Sequence, residues 1–447
     1  MVLPLRLVPF EHYMLTDDRP AYPMNCFVRL GFSGRFDRAR LDRAARAALA
    51  RHPLLSAMVR PAAFGRWKWV SADAPSIMVE WLEASDLTPY PQAQRLDVRC
   101  RSGLQLRVVE NGDQCVLVAQ FHHACADGLG VCRFLEDLLV LYARESGVSP
   151  HAAELRSLTV TQLRWRGRFG LSVSKIPAML AKQLIGLTGV WKFSMHRPVP
   201  LASPLPGATV ALPSSYPAAL RHEMDRAEST ALRTAARRHA VTLNDLLARD
   251  LFLAISAWRA GQGQSSQDWL RLSIPVNLRT ESDHSLPAAN VVSMIFLDRR
   301  AGDFSDPQRL LSGIHDEMQL IKRNRLGLTF IGALCLLGMM PGGLARVARG
   351  DRCSTTCVLS NLGQPLSDAR LPRQDGRLVA GSVTLESIEL LPPLRPYTAA
   401  ALTIQLYAER LAITMHYDLR SLTPTQAQDI FDRLLERLHG SAAGGTP

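Results

Sequence analysis

Seven consecutive residues combine side chains that are suited to proton transfer. The run from His122 to Gly128 reads His-His-Ala-Cys-Ala-Asp-Gly. A neutral histidine can take a proton from an attacking hydroxyl or amine near neutral pH, and a carboxylate or carbonyl can fix its ring orientation. By composition, this pattern arises by chance on the order of one time in a thousand, so it is specific for its length. The run therefore predicts a general base.

The elements around this run agree with a site at the end of a strand. Residues 116–121 form a continuous apolar stretch typical of a buried strand, and residues 130–143 have the apolar spacing of a helix. A histidine pair at a strand end is also compatible with a hydrogen-bonded core position or with half of a metal site. A metal site is disfavoured because adjacent strand residues point to opposite faces.

The seven-residue run resembles the HHxxxDG motif of the acyl-thioester-dependent acyltransferases. This superfamily includes chloramphenicol acetyltransferase, the condensation domains of nonribosomal peptide synthetases, alcohol acetyltransferases and wax ester synthases. Further segments resemble family motifs in the same order along the chain: the first helix and its RHPLL ending (residues 41–55), TLNDLL (242–247), PVNLR (275–279) and SNLG (360–363). The resemblance covers most of the chain, and its specificity rests on HHxxxDG.

The resemblance implies a role for each matching residue. His123, the second histidine, matches the general base, whereas His122 matches a residue that orients the loop. Asp127 matches a carboxylate that holds the loop through a salt bridge, and Arg279 stands where its partner is expected. Gly128 matches a glycine that permits close approach of the backbone or substrate.

Candidates for contact with the oxyanion or the acceptor come from the weaker motifs. Ser360 and Asn361 of SNLG, together with Asn277 of PVNLR, are such candidates, although SNLG is equally compatible with a structural turn at a strand end. The chain lacks a clear DFGWG segment, and SNLG replaces the NVPG of wax ester synthases. The substrate class is therefore left open.

The chain length favours two domains. At 447 residues the chain exceeds one ordinary core. We predict an α/β protein of the α+β type with an N-terminal lobe (1–197), a proline-rich linker (198–217) and a C-terminal lobe (218–447). The resemblance implies that the lobes share the chloramphenicol acetyltransferase-like fold, with an active-site tunnel at their interface and His123 midway between the donor and acceptor entrances.

Sequence patterns also predict individual elements. Residues 25–32, 104–109 and 270–278 have strand patterns, and Asn111-Gly112 predicts a hairpin turn. Helices are expected at 41–51, 229–239, 243–258 and 423–438, with Thr242 as N-cap and Asp245 three residues later. Residues 402–407 and 411–417 alternate as a hairpin.

The chain is strongly basic. Its formal charge is +12, and its 52 cationic residues include only five lysines. Such a surface attracts the phosphates of coenzyme A or an acidic carrier protein. Nucleic acid is excluded as the main partner because no nucleic-acid-binding motif accompanies the charge.

Two apolar segments have cationic residues near them. Residues 156–197 contain eight lysines and arginines and no acid. This composition fits peripheral contact with an anionic membrane or a carrier protein, and equally a crossover helix between lobes. Residues 326–341 are apolar but short for a membrane span, so we predict a buried helix. If that helix borders the site, it favours a long acyl chain or a lipid-like acceptor.

Cysteine usage indicates a reducing compartment. None of the eight cysteines forms a CxxC pair, and most lie in apolar patterns, which predicts reduced buried thiols. Cys125 occupies a variable position of the motif, so a nucleophilic role is disfavoured. The N-terminus resembles no secretory signal. We expect a cytoplasmic protein, with peripheral membrane contact left open.

These observations predict an acyltransferase that moves an acyl group from acyl-CoA or an acyl carrier protein to a hydroxyl acceptor, in ester synthesis for lipid or secondary metabolism. The implied mechanism needs no bound cofactor or metal. Two alternatives stay open: a stand-alone condensation enzyme that forms an amide from carrier-bound substrates, and a non-catalytic relative that binds a lipid or carrier. A hydrolase is disfavoured because the chain has no GxSxG elbow.

Overall fold

The computed structural model describes residues 2–62, 66–72, 79–171, 176–350 and 352–444. Its helices are α1 (Pro9–Asp17), α2 (Arg38–Arg51), α3 (Pro53–Ser56), α4 (Gly128–Glu145), α5 (Ile176–Met195), α6 (Arg226–Arg238), α7 (Leu243–Gly261), α8 (Pro307–Asn324), α9 (Gly327–Met339), α10 (Gly343–Ala348) and α11 (Pro424–Ala443). Its strands are β1 (Leu5–Arg6), β2 (Asn25–Gly34), β3 (Met58–Pro61), β4 (Trp67–Val70), β5 (Glu80–Glu83), β6 (Leu104–Asn111), β7 (Gln114–His122), β8 (Ala218–Glu223), β9 (Trp269–Asn277), β10 (Val292–Arg300), β11 (Cys357–Gly363), β12 (Arg373–Gln374), β13 (Arg377–Ala380), β14 (Val383–Leu391), β15 (Ala400–Tyr407) and β16 (Arg410–Tyr417).

Two lobes are organised around two large sheets and two large apolar cores. The described residues form a seven-stranded sheet (β12-β13-β14-β2-β7-β6-β5), a six-stranded sheet (β10-β9-β11-β15-β16-β8) and a small sheet (β1-β4-β3). One core surrounds the seven-stranded sheet with α2 and α4, and the other surrounds the six-stranded sheet with α7 and α11. The predicted α+β class and the two-lobe organisation are confirmed.

The strand that carries the motif lies inside the seven-stranded sheet. β7 pairs with β6 on one side and with β2 on the other, and His122 lies opposite Asn25. Gly112 adopts a φ of 59° in the turn between β6 and β7, a conformation that glycine accepts without steric cost. The predicted hairpin and strands are confirmed, and residues 124–126, which follow β7, belong to the first core.

One feature of this sheet crosses the predicted domain boundary. β12, β13 and β14 come from the C-terminal half of the chain, yet they complete the N-terminal sheet, where β14 pairs antiparallel with β2. The segment predicted as a C-terminal lobe (218–447) therefore contributes strands to both sheets. The predicted boundary between the lobes at 198–217 stays a prediction for the elements other than β12, β13 and β14.

Helix caps in the second lobe follow the sequence signals. Thr242 accepts a hydrogen bond from the backbone N–H of Asp245, whose carboxylate in turn accepts one from the Thr242 N–H. This reciprocal pair satisfies two backbone donors at the start of α7. Thr423 caps α11 in the same way, with Pro424 as its first residue.

The apolar helix predicted at 326–341 is only partly buried. α9 buries Leu328, Ile331 and Leu334, but Leu336 and Met339 are exposed. The prediction of a buried helix is wrong for this outer face, because helical periodicity places every third or fourth residue on the side without neighbours. The basic segment 156–197 ends in α5, which packs against α8 and α9, while residues 172–175 of that segment lie outside the described residues. No helix in the described ranges is long and apolar enough to cross a membrane.

Candidate active site

The motif forms the connection between β7 and α4. His122 is the last residue of β7, and Asp127 is the N-cap of α4, where its carboxylate accepts a hydrogen bond from the Gly130 N–H at 2.8 Å. Aspartate is among the residues that best satisfy the free N–H groups of a helix start. The four residues 123–126 between these points therefore form a short turn that is held at both ends.

The ring of His123 has a defined orientation. Its Nδ1 lies 3.2 Å from the carbonyl oxygen of Ala126, and its backbone N–H donates to the Met24 carbonyl at 2.7 Å. The ring of Phe10 lies edge-on, with ring centroids 6.1 Å apart. Because a carbonyl only accepts, we assign the proton of the neutral ring to Nδ1. This tautomer leaves the lone pair of Nε2 available for a proton.

The surroundings of His123 favour its neutral form. Burial lowers the pKa of His123 below its ordinary value of 6.5, and this effect exceeds the opposing influence of the Asp127 carboxylate. Desolvation disfavours the imidazolium because the charged ring loses its hydration. The ring is therefore in the form of a base at neutral pH.

His122 is turned into the core rather than toward the base position. Its Nδ1 accepts a hydrogen bond from the Ala124 N–H at 3.1 Å, and its Nε2 lies 3.7 Å from Asp18 Oδ2. Asp18 also accepts two hydrogen bonds from Arg95. Burial raises the pKa of Asp18, but His122, Arg95 and the Met24 N–H outweigh it and lower the pKa to about 2. His122 Nε2 thus lies near a buried carboxylate but beyond hydrogen-bond distance, and the Ala124 N–H is the hydrogen bond that holds the ring.

Asp127 and Arg279 form a buried ion pair between the N-terminal and C-terminal halves of the chain. Arg279 Nη1 lies 2.8 Å from Asp127 Oδ2, and Nη2 lies 2.9 Å from Oδ1. Asp127 Oδ2 also accepts from the Val291 N–H at 2.8 Å. Burial raises the pKa of Asp127, but the Arg279 guanidinium and these hydrogen bonds hold it below its usual range. The arginine that the resemblance implied as partner is thus in bidentate contact with the motif carboxylate.

Two asparagines support this arrangement. The side-chain oxygen of Asn277 accepts from the Arg279 N–H at 3.0 Å, so this exposed residue positions the arginine. Asn290 donates from Nδ2 to the carbonyls of His123 (2.6 Å) and Ala124 (2.9 Å) and is buried. Sequence reasoning missed Asn290, because an asparagine in a loop before a strand has no distinctive spacing. It adds to the contacts of Arg279 and the Val291 N–H through which the C-terminal half holds the motif.

Two glycines allow close packing at the start of α4. A Cβ on Gly128 would lie 3.1 Å from the side-chain ends of Leu362 and Leu390. A Cβ on Gly130 would lie 2.8 Å from the backbone oxygen of Ala289 and 3.0 Å from its nitrogen. Gly130 therefore meets a rigid neighbour, and Gly128 meets flexible ones. The sequence identified Gly128 but not the tighter approach at Gly130.

The SNLG segment lies at the end of β11 and reaches the motif through Leu362. Ser360 is half-buried and pairs with Thr403 in the sheet, and the side chain of Asn361 accepts from the Gly363 N–H at 2.8 Å. The contacts of Asn361 are those of a turn at a strand end. Roles for Ser360 and Asn361 toward an oxyanion stay predictions.

Other candidate chemistries find little support in the described residues. Cys125 is fully buried, and burial raises the pKa of its thiol, which disfavours a nucleophilic thiolate. The eight cysteines form no disulfide, and five of them are buried, whereas Cys100 and Cys335 are exposed. No group of three or more His, Cys, Asp or Glu side chains in these ranges could hold a metal ion.

Solved structures share this architecture over the full length of the chain. The first condensation domain of the CDA synthetase matches with a TM-score of 0.71, covering 100% of this chain and 97% of that one at 13% identity. The fold is that of a condensation domain. SgcC5 protein from Streptomyces globisporus shares it with a TM-score of 0.69, 15% identity and coverage of 98% and 99%. Polyketide synthase associated protein 5 from Mycobacterium tuberculosis gives 0.64, 15% identity and coverage of 99% and 100%.

Comparison of sequences gives weaker matches than comparison of structures. No family model matches the chain. An uncharacterized protein of Mycobacterium tuberculosis is 27% identical over 380 residues, which is 81% of this chain and 84% of that protein. The condensation-domain fold agrees with the resemblance drawn from HHxxxDG, and it explains how Arg279 comes to lie beside Asp127. The tunnel that the resemblance implies between the lobes stays a prediction.

Proposed function

We propose that this protein transfers an acyl group from a thioester to a hydroxyl acceptor, with His123 as general base. The observation that carries this proposal is the orientation of His123, whose Nδ1 is bound to the Ala126 carbonyl so that Nε2 is free to accept a proton. The lowered pKa of the ring adds to this, because the base is neutral at physiological pH. Condensation domains of known structure supply the same fold.

The proposed reaction proceeds in two steps. Nε2 of His123 takes the proton of the acceptor hydroxyl while its oxygen forms a bond to the thioester carbonyl carbon. The resulting tetrahedral oxyanion collapses, the carbon–sulfur bond breaks, and the imidazolium returns the proton to the leaving thiolate. The products are an ester and a free thiol. Donors aimed at the oxyanion, for which Ser360 and Asn361 are candidates, would contribute about 3 kcal/mol.

In this scheme Asp127 is a positioning residue. Both of its oxygens are engaged by Arg279, and each also accepts one backbone N–H, from Gly130 or from Val291. A carboxylate with this set of donors and a lowered pKa is a poor proton acceptor. Its proposed role is to fix the turn that presents His123. His122, whose Nδ1 accepts from the Ala124 N–H, is proposed to do the same from the other side.

Acyl-CoA and an acyl carrier protein are the two proposed donor classes. Both present the acyl group as a thioester, and the basic character of the chain suits the phosphates of either. A hydroxyl acceptor is proposed over an amine. SgcC5, which has the same fold, is known in complex with (R)-(-)-1-(2-naphthyl)-1,2-ethanediol, a molecule that carries hydroxyl groups.

A second candidate function is amide formation from carrier-bound substrates. The fold favours it, since several structures with this architecture are condensation domains of synthetases. The same base and the same thioester chemistry would then act on an amine. A non-catalytic relative that binds a lipid or carrier is the third candidate, and it predicts no thiol release.

The test is thiol release from a panel of acyl-CoAs, from short to long, and from an acyl carrier protein, each with mixed alcohols or mixed amines. Wild type is compared with His123→Ala and with His239→Ala, a control that removes an exposed histidine at the end of α6. We expect alcohol-dependent release that is lost in His123→Ala and kept in His239→Ala. Equal release by both variants would refute the role of His123. Dependence on amines would select the condensation candidate.

A further inference from the structure

Exposed apolar side chains are concentrated in two segments of the chain. Fourteen large hydrophobic side chains are exposed in the described residues, and twelve of them lie within 165–195 and 320–347. Val210 and Tyr397 are the other two. Single exposed apolar residues are ordinary on a protein surface, but such a concentration marks an interaction site.

The two segments meet in space. α5 contacts α9 where Gly186 is buried against Thr329, and the Thr329 hydroxyl donates to the Gln183 side chain at 2.6 Å. Gln183 also donates to the Asn324 carbonyl at the end of α8. Ile185 and Val190 are also exposed on α5. Leu184, Leu187, Trp191 and Met195 recur at a spacing of three or four, as do Leu336 and Met339 on α9, which places each set on one side of its helix. We call these side chains the α5–α9 face: Leu184, Leu187, Trp191, Met195, Leu336 and Met339.

The two segments that form this face contain cations but no acids. The chain has no aspartate or glutamate from residue 155 to 222 or from 318 to 350. Lys182 and Lys192 are exposed beside the apolar residues of α5, although Lys192 lies 3.6 Å from Glu317. Arg323 and Arg346 are exposed on either side of α9 in the sequence. The local charge is therefore positive around an apolar centre.

We propose that the α5–α9 face binds the surface of an anionic lipid membrane. Helices that lie in the membrane interface place aliphatic and aromatic side chains toward the acyl chains and keep lysines and arginines at the headgroups, which is the distribution seen here. Trp191, 62% exposed, has the amphipathic ring that suits the headgroup level. An acidic carrier protein would engage the cations but would leave most of these aliphatic side chains without an apolar counterpart.

The inner side of the same helix reaches toward the base. Phe330 of α9 packs against Phe10 with ring centroids 6.2 Å apart, and Phe10 in turn contacts His123. In this arrangement the outer side of α9 would face the membrane. Its inner side is connected to His123 through the ring contacts of Phe330 and Phe10. Binding itself does not depend on the proposed chemistry, so the two proposals fail separately.

The test is cosedimentation of the full chain with vesicles of phosphatidylcholine, alone or mixed with phosphatidylglycerol, at low and high salt. Wild type is compared with Trp191→Glu/Met339→Glu on the face and with Val210→Glu/Tyr397→Glu, which changes the two exposed large apolar residues that lie outside both segments in the described residues. All four positions are exposed, and thermal unfolding verifies that each variant folds.

We expect wild type to bind the mixed vesicles, more weakly at high salt, and the face variant to lose roughly tenfold or more in partitioning. The control variant should bind like wild type, and Arg323→Glu should lose mainly the preference for phosphatidylglycerol. Absence of wild-type binding, or equal loss in the control, would overturn the proposal. So would a face variant that binds vesicles normally but no longer responds to an acyl carrier protein, a result that would assign the face to the carrier.

Discussion

Replacement of Asp127 by asparagine tests whether this residue holds the site or takes part in proton transfer. The carboxylate accepts four hydrogen bonds, two from Arg279 and one each from the Gly130 and Val291 N–H groups. Each oxygen receives one backbone donor and one guanidinium donor. Whichever way the asparagine amide is turned, its NH₂ group faces one donor of each kind. Asp127→Asn therefore leaves two buried donors unpaired and removes the charge opposite Arg279.

The expected loss is large. Unpaired buried donors cost about 1–3 kcal/mol each, and removal of one member of a buried ion pair costs about 3–5 kcal/mol in total. Arg279→Gln should fall in the same range because it leaves the Asp127 charge buried. Since the pair joins residues of the two halves of the chain, both variants should lower stability and activity together.

The measurement is urea unfolding of wild type, both single variants and the double variant. The matched control is Asp429→Asn, which breaks an exposed pair with Arg433 at 2.8 Å on α11. Both side chains of that pair are exposed, so the control should lose no more than about 0.5 kcal/mol in free energy of unfolding. In the double variant the losses should be less than additive.

One result would refute the positioning role. If Asp127→Asn unfolds within about 0.5 kcal/mol of wild type yet loses activity, and Arg279→Gln keeps its activity, then the carboxylate acts on protons rather than on structure.

Three further predictions concern single residues near the site. Because burial lowers the pKa of His123, the acidic limb of the pH profile of kcat/KM should lie below pH 6.5, and a limb above this value would contradict the neutral-base assignment. Gly130→Ala should lower the unfolding free energy by about 1–3 kcal/mol, because the new methyl group meets the Ala289 backbone, whereas Gly128→Ala should cost less. An equal loss in both would contradict this packing argument. Burial raises the pKa of Glu136 to about 7, so the contribution of Glu136 to stability should fall as pH rises from about 4.5 through 7. Glu136→Gln should therefore gain stability relative to the wild type as pH rises through this range, and a difference between the two that does not change with pH would contradict the raised pKa.

Local elements and the motif could be predicted from the sequence. Asn111-Gly112 between two apolar runs predicted the β6–β7 hairpin, and Thr242 and Thr423 predicted the starts of α7 and α11. These features depend on residues within a few positions of one another. His123 and Asp127 could be identified for the same reason, because they lie four positions apart in the HHxxxDG motif.

Long-range contacts could not be predicted in the same way. The partnership of Arg279 with Asp127 spans 152 residues and was expected only through the resemblance. Asn290, which binds the carbonyls of His123 and Ala124, was missed because nothing in its neighbourhood distinguishes it from a loop residue. The exposure of Leu336 and Met339 was also missed, since an apolar sequence does not reveal which side of a helix lacks a neighbour.

The crossing of β14 into the N-terminal sheet has a consequence for the order of folding. β2 pairs with β7 early in the sequence, but its other edge pairs with β14, about 350 residues later. During synthesis the backbone groups on this edge of β2 stay unpaired until β14 has left the ribosome, when nearly the whole chain has been made. The halves are thus poor candidates for separate expression. A gene split at the 198–217 segment should yield an aggregation-prone N-terminal fragment that becomes tractable when the C-terminal fragment is made in the same cell.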